Sequence, residues 1–173
     1  NIKNEIGRCT YTQMLNGDAG IETDITVVCI DKDHFRIISS ASSRTHDKAH
    51  ILESLSTELE FKDITDELVC LGIFGPKSRK LLSKIFQESF SKESFKFGTG
   101  KYMKLGSANI WIQRLSYIGE LGFELYIKNK DAKKTYNCIV NAGKEFNLSH
   151  CGAHTMDTMR MECGFLHWGY DIS

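Results

Sequence analysis

The sequence predicts an α+β protein whose antiparallel sheets carry helices on one face. Three observations support this fold class. Strand-like segments come in groups, the first group alternates apolar and polar residues, and later segments carry apolar residues at helical spacing. With 173 residues, of which 41% are hydrophobic, the chain is long enough for one domain or two small ones and for a sizeable core.

Residues 7–39 predict a three-stranded antiparallel meander. We expect strands at 7–15, 21–30 and 35–39, with turns at 16–20 and 31–33. The second strand has two different faces, because successive side chains point to opposite sides of a strand. One face carries Ile21, Thr23, Ile25 and Val27, and the other carries Glu22, Asp24 and Thr26.

The rest of the chain predicts helices and strands in ones and twos. Helices are expected at 43–57, 76–87, 131–146 and 153–163. Strands are expected at 68–74, 102–105, 110–117 and 123–127. The segment 89–100, rich in Ser, Phe, Lys and Gly, is either an internal boundary within a domain of residues 1–173 or a surface loop.

The charge balance excludes two classes of partner. Lysine plus arginine and aspartate plus glutamate both total 22, so the formal charge is zero. A neutral chain lacks the basic surface that attracts nucleic acid or anionic lipid. No apolar run reaches the roughly 18 residues of a membrane-spanning helix. We therefore expect neither nucleic acid nor a membrane as a partner.

The six cysteines predict reduced thiols, since none forms a C-x-x-C pair and a chain of this size does not need disulfides. We expect them to be mostly buried in strands and helices. Reduced thiols favour the cytoplasm or, in a eukaryote, the mitochondrial matrix. His150, Cys151 and His154 cluster without a distant second pair of ligands, so no metal site is predicted.

Both ends of the sequence suggest a piece of a longer protein. Residue 1 is Asn, and the closing run 160–171 is rich in Arg, Gly, Trp and Asp, unlike a disordered tail. If neighbouring segments are missing, apolar surface is exposed or covered by self-association, so a homo-oligomer is an expected state. No G-x-G-x-x-G follows a strand, so no FAD or other dinucleotide site is predicted in this chain.

The segment 117–126 is the most informative part of the sequence. Gly119-Glu120-Leu121-Gly122 lies between two apolar, aromatic runs. The glycines allow a tight turn and the close approach of a ligand. Glu120 can then present two acceptor oxygens to a planar pair of N–H donors. The alternative is a hairpin whose glutamate faces water.

Four more residues are candidates, each with a structural alternative. Asp24 can pair with a ligand amine or amide, or it is an exposed residue of a polar face. Arg114 can bind a carboxylate, or it forms a cross-strand ion pair that contributes little. Arg160 needs a partner of its own, because Glu162 lies two positions away on another side of the helix. Trp168 can stack on a flat ligand, or it belongs to the core.

Five motifs follow one another along nearly the whole chain. Two come early: Gly7-Arg8 with Tyr11-Thr12-Gln13-Met14-Leu15-Asn16, and Gly20-Ile21-Glu22-Thr23-Asp24-Ile25-Thr26-Val27. The third is Leu71-Gly72-Ile73-Phe74-Gly75-Pro76-Lys77-Ser78-Arg79. The last two are the segments 114–124 and 160–171. Together they resemble the aminomethyltransferase (glycine cleavage T-protein) family.

Two segments are more similar to one branch of that family. Glu120-Leu121-Gly122 and His167-Trp168-Gly169 resemble the folate-binding portion of dimethylglycine and sarcosine dehydrogenases. Those are long chains with an FAD domain before this portion and a small β-barrel after it. The resemblance therefore implies that FAD belongs only to a missing domain of the parent chain.

The resemblance implies a fold with ferredoxin-like layers and a chemistry of one-carbon transfer to tetrahydrofolate. A small methylated amine is the implied donor, and 5,10-methylenetetrahydrofolate and the demethylated amine are the implied products. Asp24 matches the catalytic aspartate, Glu120 the glutamate that binds the pterin, and Arg160 an arginine near the folate. Tyr117 and Trp168 match residues of the folate-site wall, and Arg114 is also included among the folate-binding residues.

Three alternatives stay open on the sequence. The chain resembles glycine cleavage T-proteins less where Ser39-Ser40-Ala41 replaces their asparagine, because a hydroxyl cannot supply both amide functions. A folate-binding module without catalysis, like the iron–sulfur-assembly relatives, would carry a K-x-C-x-x-G-Q-E stretch, which is absent here. Methyl transfer from a sulfur compound on the same fold is the third alternative.

Overall fold

A computed structural model describes residue 2 and residues 4–172. It divides the chain into two compact units, one formed by Asn1–Asp66 with His167–Ser173 and the other by Glu67–Leu166. Both contain an antiparallel sheet and at least one helix, so the predicted α+β class is confirmed. The segment 89–100 lies inside the second unit, where Phe90 and Phe95 are buried.

The first unit contains the predicted meander. Its strands are β1 (Cys9–Leu15), β2 (Ile21–Asp31) and β3 (His34–Ile38), in the order β1-β2-β3. The side-chain Oδ1 of Asn16 accepts hydrogen bonds from the backbone amides of Asp18 (3.0 Å) and Gly20 (2.8 Å), which closes the first turn. Thr23, Ile25 and Val27 are buried while Glu22 and Asp24 are half-buried, so the predicted two-faced strand is confirmed.

Helix α1 (Arg44–Ser54) confirms the predicted helix but not an apolar stripe on it. The structure describes every residue of α1, and only Asp47 among them is buried. Leu52 is exposed, and Ile51 is half-buried. Arg44 holds the start of the helix by binding Asp63 at 3.0 Å and Asp66 at 2.8 Å.

The second unit contains a four-stranded sheet and three helices. The strands are β4 (Leu68–Phe74), β5 (Gly100–Leu105), β6 (Ala108–Gln113) and β7 (Gly122–Lys128), with antiparallel order β4-β7-β6-β5. The helices are α2 (Ser78–Phe86), α3 (Asn129–Gly143) and α4 (Ala153–Glu162). Short 3-10 helices occupy Ala41–Ser43, Thr65–Glu67 and Lys144–Phe146 along the chain.

One predicted strand is shorter than expected. The sequence predicts a strand over 110–117, but β6 ends at Gln113. The amide of Arg114 still donates to Thr99 O (2.8 Å), after which the chain leaves the sheet and crosses to β7. The Gly-Glu-x-Gly segment therefore lies in a wide connection, 114–121, and not in a tight two-residue hairpin.

One face of the second sheet forms the core of its unit. Phe123, Leu125 and Ile127 of β7 are fully buried on this face with Ile110 and Ile112 of β6. Helices α2 and α3 pack against it with Leu81, Leu82, Phe86 and Ile139. The rings of Phe90 and Phe95 stack at 5.4 Å, and both meet Phe123 edge to face. The opposite face of the sheet is polar and aromatic.

The cysteines are free thiols, as predicted, but most of them are not buried. Cys9 and Cys29 are buried in the first sheet, whereas Cys70, Cys151 and Cys163 are exposed. The expectation of buried thiols is wrong for these three, which lie on an edge strand or near the ends of α4, where burial is incomplete.

Within residue 2 and residues 4–172, the helices are all too short or too polar to span a lipid bilayer. No cluster of three or more His, Cys, Asp or Glu side chains has the geometry of a metal site in the same residues.

Candidate functional site

A network of hydrogen bonds joins β6 and β7 on the polar face of the second sheet. Gln113 and Glu124 are directly opposite each other, and Gln113 Nε2 donates to Glu124 Oε2 at 2.8 Å. The Tyr126 hydroxyl donates to the same oxygen, also at 2.8 Å. The indole of Trp111 donates to Gln113 Oε1 at 3.1 Å, so each member of the network orients the next.

The network leaves one carboxylate oxygen of Glu124 available. Both donors bind Oε2, and Oε1 makes no hydrogen bond to any described residue. Gln113 and Trp111 are buried, while Glu124 is half-buried and so remains within reach of a ligand. Burial, with the negative charge of Glu124 beside it, raises the pKa of Tyr126, so this phenol stays protonated and keeps donating. Glu124 is thus a pre-oriented acceptor for an N–H donor.

Glu124 is a candidate that the sequence analysis missed. Glu120 is the more conspicuous of the two in the sequence, because glycines lie on both sides of it. The signal for Glu124 was the period of two in β7, where Phe123, Leu125 and Ile127 are apolar while Glu124 and Tyr126 share the other face. A carboxylate that faces a tryptophan-bearing strand at such a position predicts a buried polar network.

Glu120 is exposed and makes no hydrogen bond to the residues that the structure describes. Its neighbour Gly119 has φ +74°, a conformation that favours glycine. A Cβ atom on Gly119 would lie 2.0 Å from the sulfur of Cys163 at the end of α4. Gly119 therefore allows the 114–121 connection to lie directly against the end of α4.

Glu120 also borders a groove of the second unit with a volume of about 820 Å³. The groove runs along β4, α2 and α3, and its walls are mostly apolar, including Leu71, Ile73, Ile139 and Met159. Glu120 is therefore next to an apolar surface rather than next to a second polar group that would orient its carboxylate.

The predicted residues Tyr117 and Arg160 meet at the turn that follows α4. The Tyr117 hydroxyl donates to Leu166 O at 3.3 Å, and its ring stacks on Phe165 with the centroids 6.4 Å apart. Arg160 is only 4% exposed, and it donates to Asp157 Oδ1 at 2.7 Å and to Phe165 O at 3.0 Å. Both side chains therefore hold the 165–166 backbone in place.

Arg114, the remaining predicted residue of the second unit, lies apart from that turn. Its guanidinium donates to Phe95 O at 3.0 Å and lies over the Phe97 ring. Burial and the nearby charge of Arg79 lower the pKa of Arg114. No carboxylate pairs with it in the described structure, so the cross-strand ion pair considered from the sequence is not formed.

Asp24 and Trp168 belong to the first unit. Asp24 Oδ2 accepts a hydrogen bond from the Tyr11 hydroxyl at 2.9 Å, and the carboxylate is half-buried on the polar face of β2. Trp168 pairs with Ile172 through an isolated bridge, and its indole Nε1 is buried without a hydrogen-bond acceptor in the described residues. A buried donor without a partner is costly, and a ligand acceptor would satisfy it.

Comparisons with known proteins agree with this architecture. Human mitochondrial dimethylglycine dehydrogenase is 34% identical over 176 aligned residues, which cover all of this chain and 20% of that protein. An aminomethyltransferase of Halothermothrix orenii is 31% identical, covering 96% of this chain and 46% of that one. The chain thus spans about a fifth of the dehydrogenase and under half of the transferase.

A solved structure shares the fold. The glycine cleavage system aminomethyltransferase T from Bartonella henselae superposes with a TM-score of 0.82 at 24% identity, over 97% of this chain and 44% of that one. The family model described as the GCVT N-terminal domain matches residues 1–173. The resemblance found in the sequence is therefore confirmed, and the chain belongs to the GCVT N-terminal domain family.

Proposed function

We propose that this chain is the folate-binding part of an enzyme that transfers a one-carbon unit from a small methylated amine to tetrahydrofolate. Support comes from the family and from the names of the relatives, which are dehydrogenases of a methylated amine and aminomethyltransferases. A dimethylglycine or sarcosine dehydrogenase is the proposed parent. An aminomethyltransferase of the glycine cleavage type is the alternative, because it matches at nearly the same identity.

The observation that carries the proposal is the carboxylate of Glu124. A pterin presents adjacent N–H groups along one edge, and Glu124 Oε1 has two lone pairs with which to accept from them. Glu124 is already oriented by Gln113 and Tyr126, and its Oε1 has no partner within the described chain. The Glu124 side chain is therefore already ordered, and binding a ligand costs it little further conformational entropy.

Within the second unit, the residue that fits a reduced folate is Glu124, which supplies an unpaired acceptor. In the first unit, Trp168 has a flat indole whose buried N–H has no acceptor within the described residues, and its contact with a folate stays a separate proposal. Tetrahydrofolate, when bound, supplies the nitrogen nucleophile that receives the one-carbon unit. The described residues bind it, orient it and manage the charge of the donor.

Asp24 is the proposed catalytic residue. Its carboxylate is half-buried, and one oxygen is held by the Tyr11 hydroxyl at 2.9 Å. The second oxygen is left to stabilise a cationic amine-bound carbon or to accept a proton. A half-buried carboxylate acts more strongly on developing positive charge than a fully hydrated one.

The other predicted residues are proposed as supports of the folate site. Tyr117 and Arg160 fix the turn at 165–166, and we propose that their ring and guanidinium border the ligand. Arg114 is proposed to contact a folate carboxylate, because no carboxylate in the described structure neutralises it. Glu120, the pterin ligand predicted from the sequence, remains a proposal that competes with Glu124.

FAD and the final location belong to the whole protein. If the parent is a dehydrogenase, we propose that its FAD lies in another domain and that this chain alone purifies without flavin. The human relative's name places that protein in mitochondria. We propose the mitochondrial matrix for a eukaryotic parent and the cytoplasm for a bacterial one.

The test is a calorimetric titration of the protein with tetrahydrofolate. Glu124→Gln keeps the shape but loses the charge, so affinity should fall by about 1.5–3 kcal/mol, roughly ten- to a hundredfold in Kd. Glu120→Gln is the matched control, since the same change is made four residues away at an exposed carboxylate. It should change Kd by less than about threefold.

Two outcomes would contradict these assignments. A large loss in Glu120→Gln with none in Glu124→Gln would return the pterin role to Glu120. No saturable binding of tetrahydrofolate by the unsubstituted protein would remove the proposed function.

A further inference from the structure

A second polar cluster, separate from Glu124, links α1 to β2 in the first unit. His46 of α1 places Nε2 at 3.1 Å from Glu22 Oε2 on β2, and Nδ1 at 3.2 Å from Asp47 Oδ1. Asp47 is buried and also accepts from the Ser43 hydroxyl at 2.6 Å. Asn16, from the turn before β2, donates to the other oxygen of Glu22 at 2.9 Å.

The imidazole of His46 therefore bridges two carboxylates. A neutral imidazole has one N–H, so it can donate to only one of them and turns a lone pair toward the other. The protonated ring donates to both. Hydrogen bonding from Asp47 first, and then Glu22, raises the pKa of His46 against the opposing effect of desolvation. The hydrogen bond from Asn16 and the charge of His46 lower the pKa of Glu22.

The link matters because α1 has little else to hold it. Among its described residues only Asp47 is buried, so no apolar side chain of the helix is anchored in a core. Arg44 ties the first turn to Asp63 and Asp66, and His46 provides the tie to the sheet. A helix fixed by ionic contacts opens more readily than one fixed by apolar packing.

The strand that receives this tie also carries Asp24. Glu22 and Asp24 are two positions apart on β2, and both lie on its half-buried polar face. His50, one turn along α1, also lies close enough for its charge to act on Glu22. The groups that face His46 are thus Glu22 from β2, Asn16 from the turn, and Asp47 and His50 from α1.

We propose that protonated His46 is a positioning residue that fastens α1 to β2 beside Asp24, and that loss of its proton loosens this attachment. The effect on one-carbon transfer rests on the proposed function, but the attachment itself does not. The attachment of α1 to β2 is stable only over a range of pH. Because the pKa of His46 is raised, its stabilisation of the attachment is complete below the ordinary value of about 6.5 and is lost as pH rises through the folded-state value.

Glu22 sets the lower pH limit of the attachment. The pKa of Glu22 is lowered in the folded state, so its stabilisation of the attachment is present above the ordinary value of about 4.3 and is lost as pH falls. The attachment should therefore be strongest in mildly acidic solution and weaker in alkaline solution. A structural role of His46 that did not depend on its proton would show no such pH dependence.

Amide hydrogen exchange across α1 tests the attachment without any ligand. Exchange rates of His46→Gln are divided by those of the unsubstituted protein at the same pH, which cancels the intrinsic base catalysis. The ratio should be about tenfold near pH 5.5 and fall below about twofold near pH 8.5, because the unsubstituted protein has then lost its proton as well. His34→Gln, an exposed histidine at the start of β3, is the control and should give a ratio near one at both.

A second measurement keeps the proposal open to failure if His46→Gln unfolds. Ring nuclear magnetic resonance of the histidines in Glu22→Gln should show His46 titrating at a lower pH than in the unsubstituted protein. Equal exchange ratios at both pH values, or a His46 titration unchanged by Glu22→Gln, would overturn the proposal. Folate binding by the unsubstituted protein would be unaffected by either result, so this failure is distinct from failure of the proposed function.

Discussion

The two sheets of this protein hold their key carboxylates in different ways. In the second sheet, Glu124 accepts from two side chains, one of which, Gln113, is fully buried and itself bound to Trp111. In the first sheet, Asp24 is held by the hydroxyl of Tyr11, a side chain that is 61% exposed. The Glu124 carboxylate is therefore fixed by a buried network, whereas the Asp24 carboxylate is less restrained and more hydrated.

The layers behind the two sheets differ in the same sense. The second sheet is backed by α2 and α3 through a continuous apolar core. The helix of the first unit, α1, buries only Asp47 in the described structure and is tied by Arg44 and His46. An apolar core therefore backs the carboxylate proposed to bind the pterin, whereas the helix beside the carboxylate proposed for catalysis is held by charged contacts, which open more readily.

The largest expected effect is in the core of the second unit. Phe123 is fully buried and contacts the rings of Phe90 and Phe95 edge to face. Phe123→Ala removes these contacts and leaves a cavity, so the free energy of unfolding should fall by about 3–5 kcal/mol. Urea denaturation measures it. Leu52→Ala on exposed α1 is the control and should cost less than about 0.5 kcal/mol. Similar losses of unfolding free energy in both variants would contradict the contrast between the apolar core of the second unit and the exposed helix α1.

A smaller effect is expected at the 114–121 connection. In Gly119→Ala the new methyl meets the Cys163 sulfur and the backbone keeps a left-handed φ of +74°, so stability should fall by about 2–3 kcal/mol. Gly106→Ala is the matched variant, because Gly106 also has positive φ (+61°) but open space around its Cα. It should cost about 1 kcal/mol. Thermal melting compares them, and equal losses would show that contact with α4 is unimportant.

The orientation of Glu124 by Gln113 should be visible in affinity. Gln113→Leu keeps the volume but removes one of the two donors to Glu124. We expect tetrahydrofolate affinity to fall by about 1 kcal/mol, roughly fivefold in Kd, because the carboxylate must then be ordered during binding. The double variant with Glu124→Gln should show no additional loss. Additive losses would mean that Gln113 acts elsewhere.

The smallest expected effect is a loosening of α1 at low pH. The backbone amide of Thr65 and the guanidinium of Arg44 hold the pKa of Asp63 well below its usual range, and Arg44 lowers that of Asp66. Lowered pKa values stabilise the folded state above the ordinary value of about 3.9, and that contribution is lost as pH falls. Amide exchange in α1 should therefore accelerate below about pH 4 more than in α3, and Arg44→Gln should reduce the difference to the part that Glu22 contributes. Equal acceleration in both helices would contradict this.

Much of the fold could be predicted from the sequence. The meander at 9–38 follows from alternation and turn residues, and α2 and α3 follow from apolar spacing. The end of β6 could not be predicted, because Leu115 and Tyr117 continue the alternation of a strand, whereas the backbone pairing with the neighbouring segment ends at the bonds of Arg114 with Gly98 and Thr99. The exposure of Cys70, Cys151 and Cys163 depends on which layers cover them, which local pattern does not specify.

The site was less predictable than the fold. Glycines made Glu120 conspicuous, but the network that would orient a carboxylate formed around Glu124, because residues opposite each other on β6 and β7 meet only once the register is set. Arg160 pairs with Asp157 one turn earlier in α4, a spacing that the sequence does show, but Arg160 and Tyr117 also bind the backbone carbonyls of Phe165 and Leu166, and backbone atoms carry no sequence signal. Asp24 lies on the polar face of its strand as predicted, and its catalytic role stays a prediction.

The central claim is that the second sheet binds the folate and the first acts on the reacting carbon. The direct measurement is tetrahydrofolate affinity and one-carbon transfer in the full-length parent, for Glu124→Gln and Asp24→Asn side by side. Glu124→Gln should weaken binding roughly ten- to a hundredfold. Asp24→Asn should leave Kd within about threefold but lower the transfer rate at saturating folate at least tenfold, because its carboxylate acts on charge that develops during the reaction. Equal, small effects of both substitutions on both quantities would contradict the account.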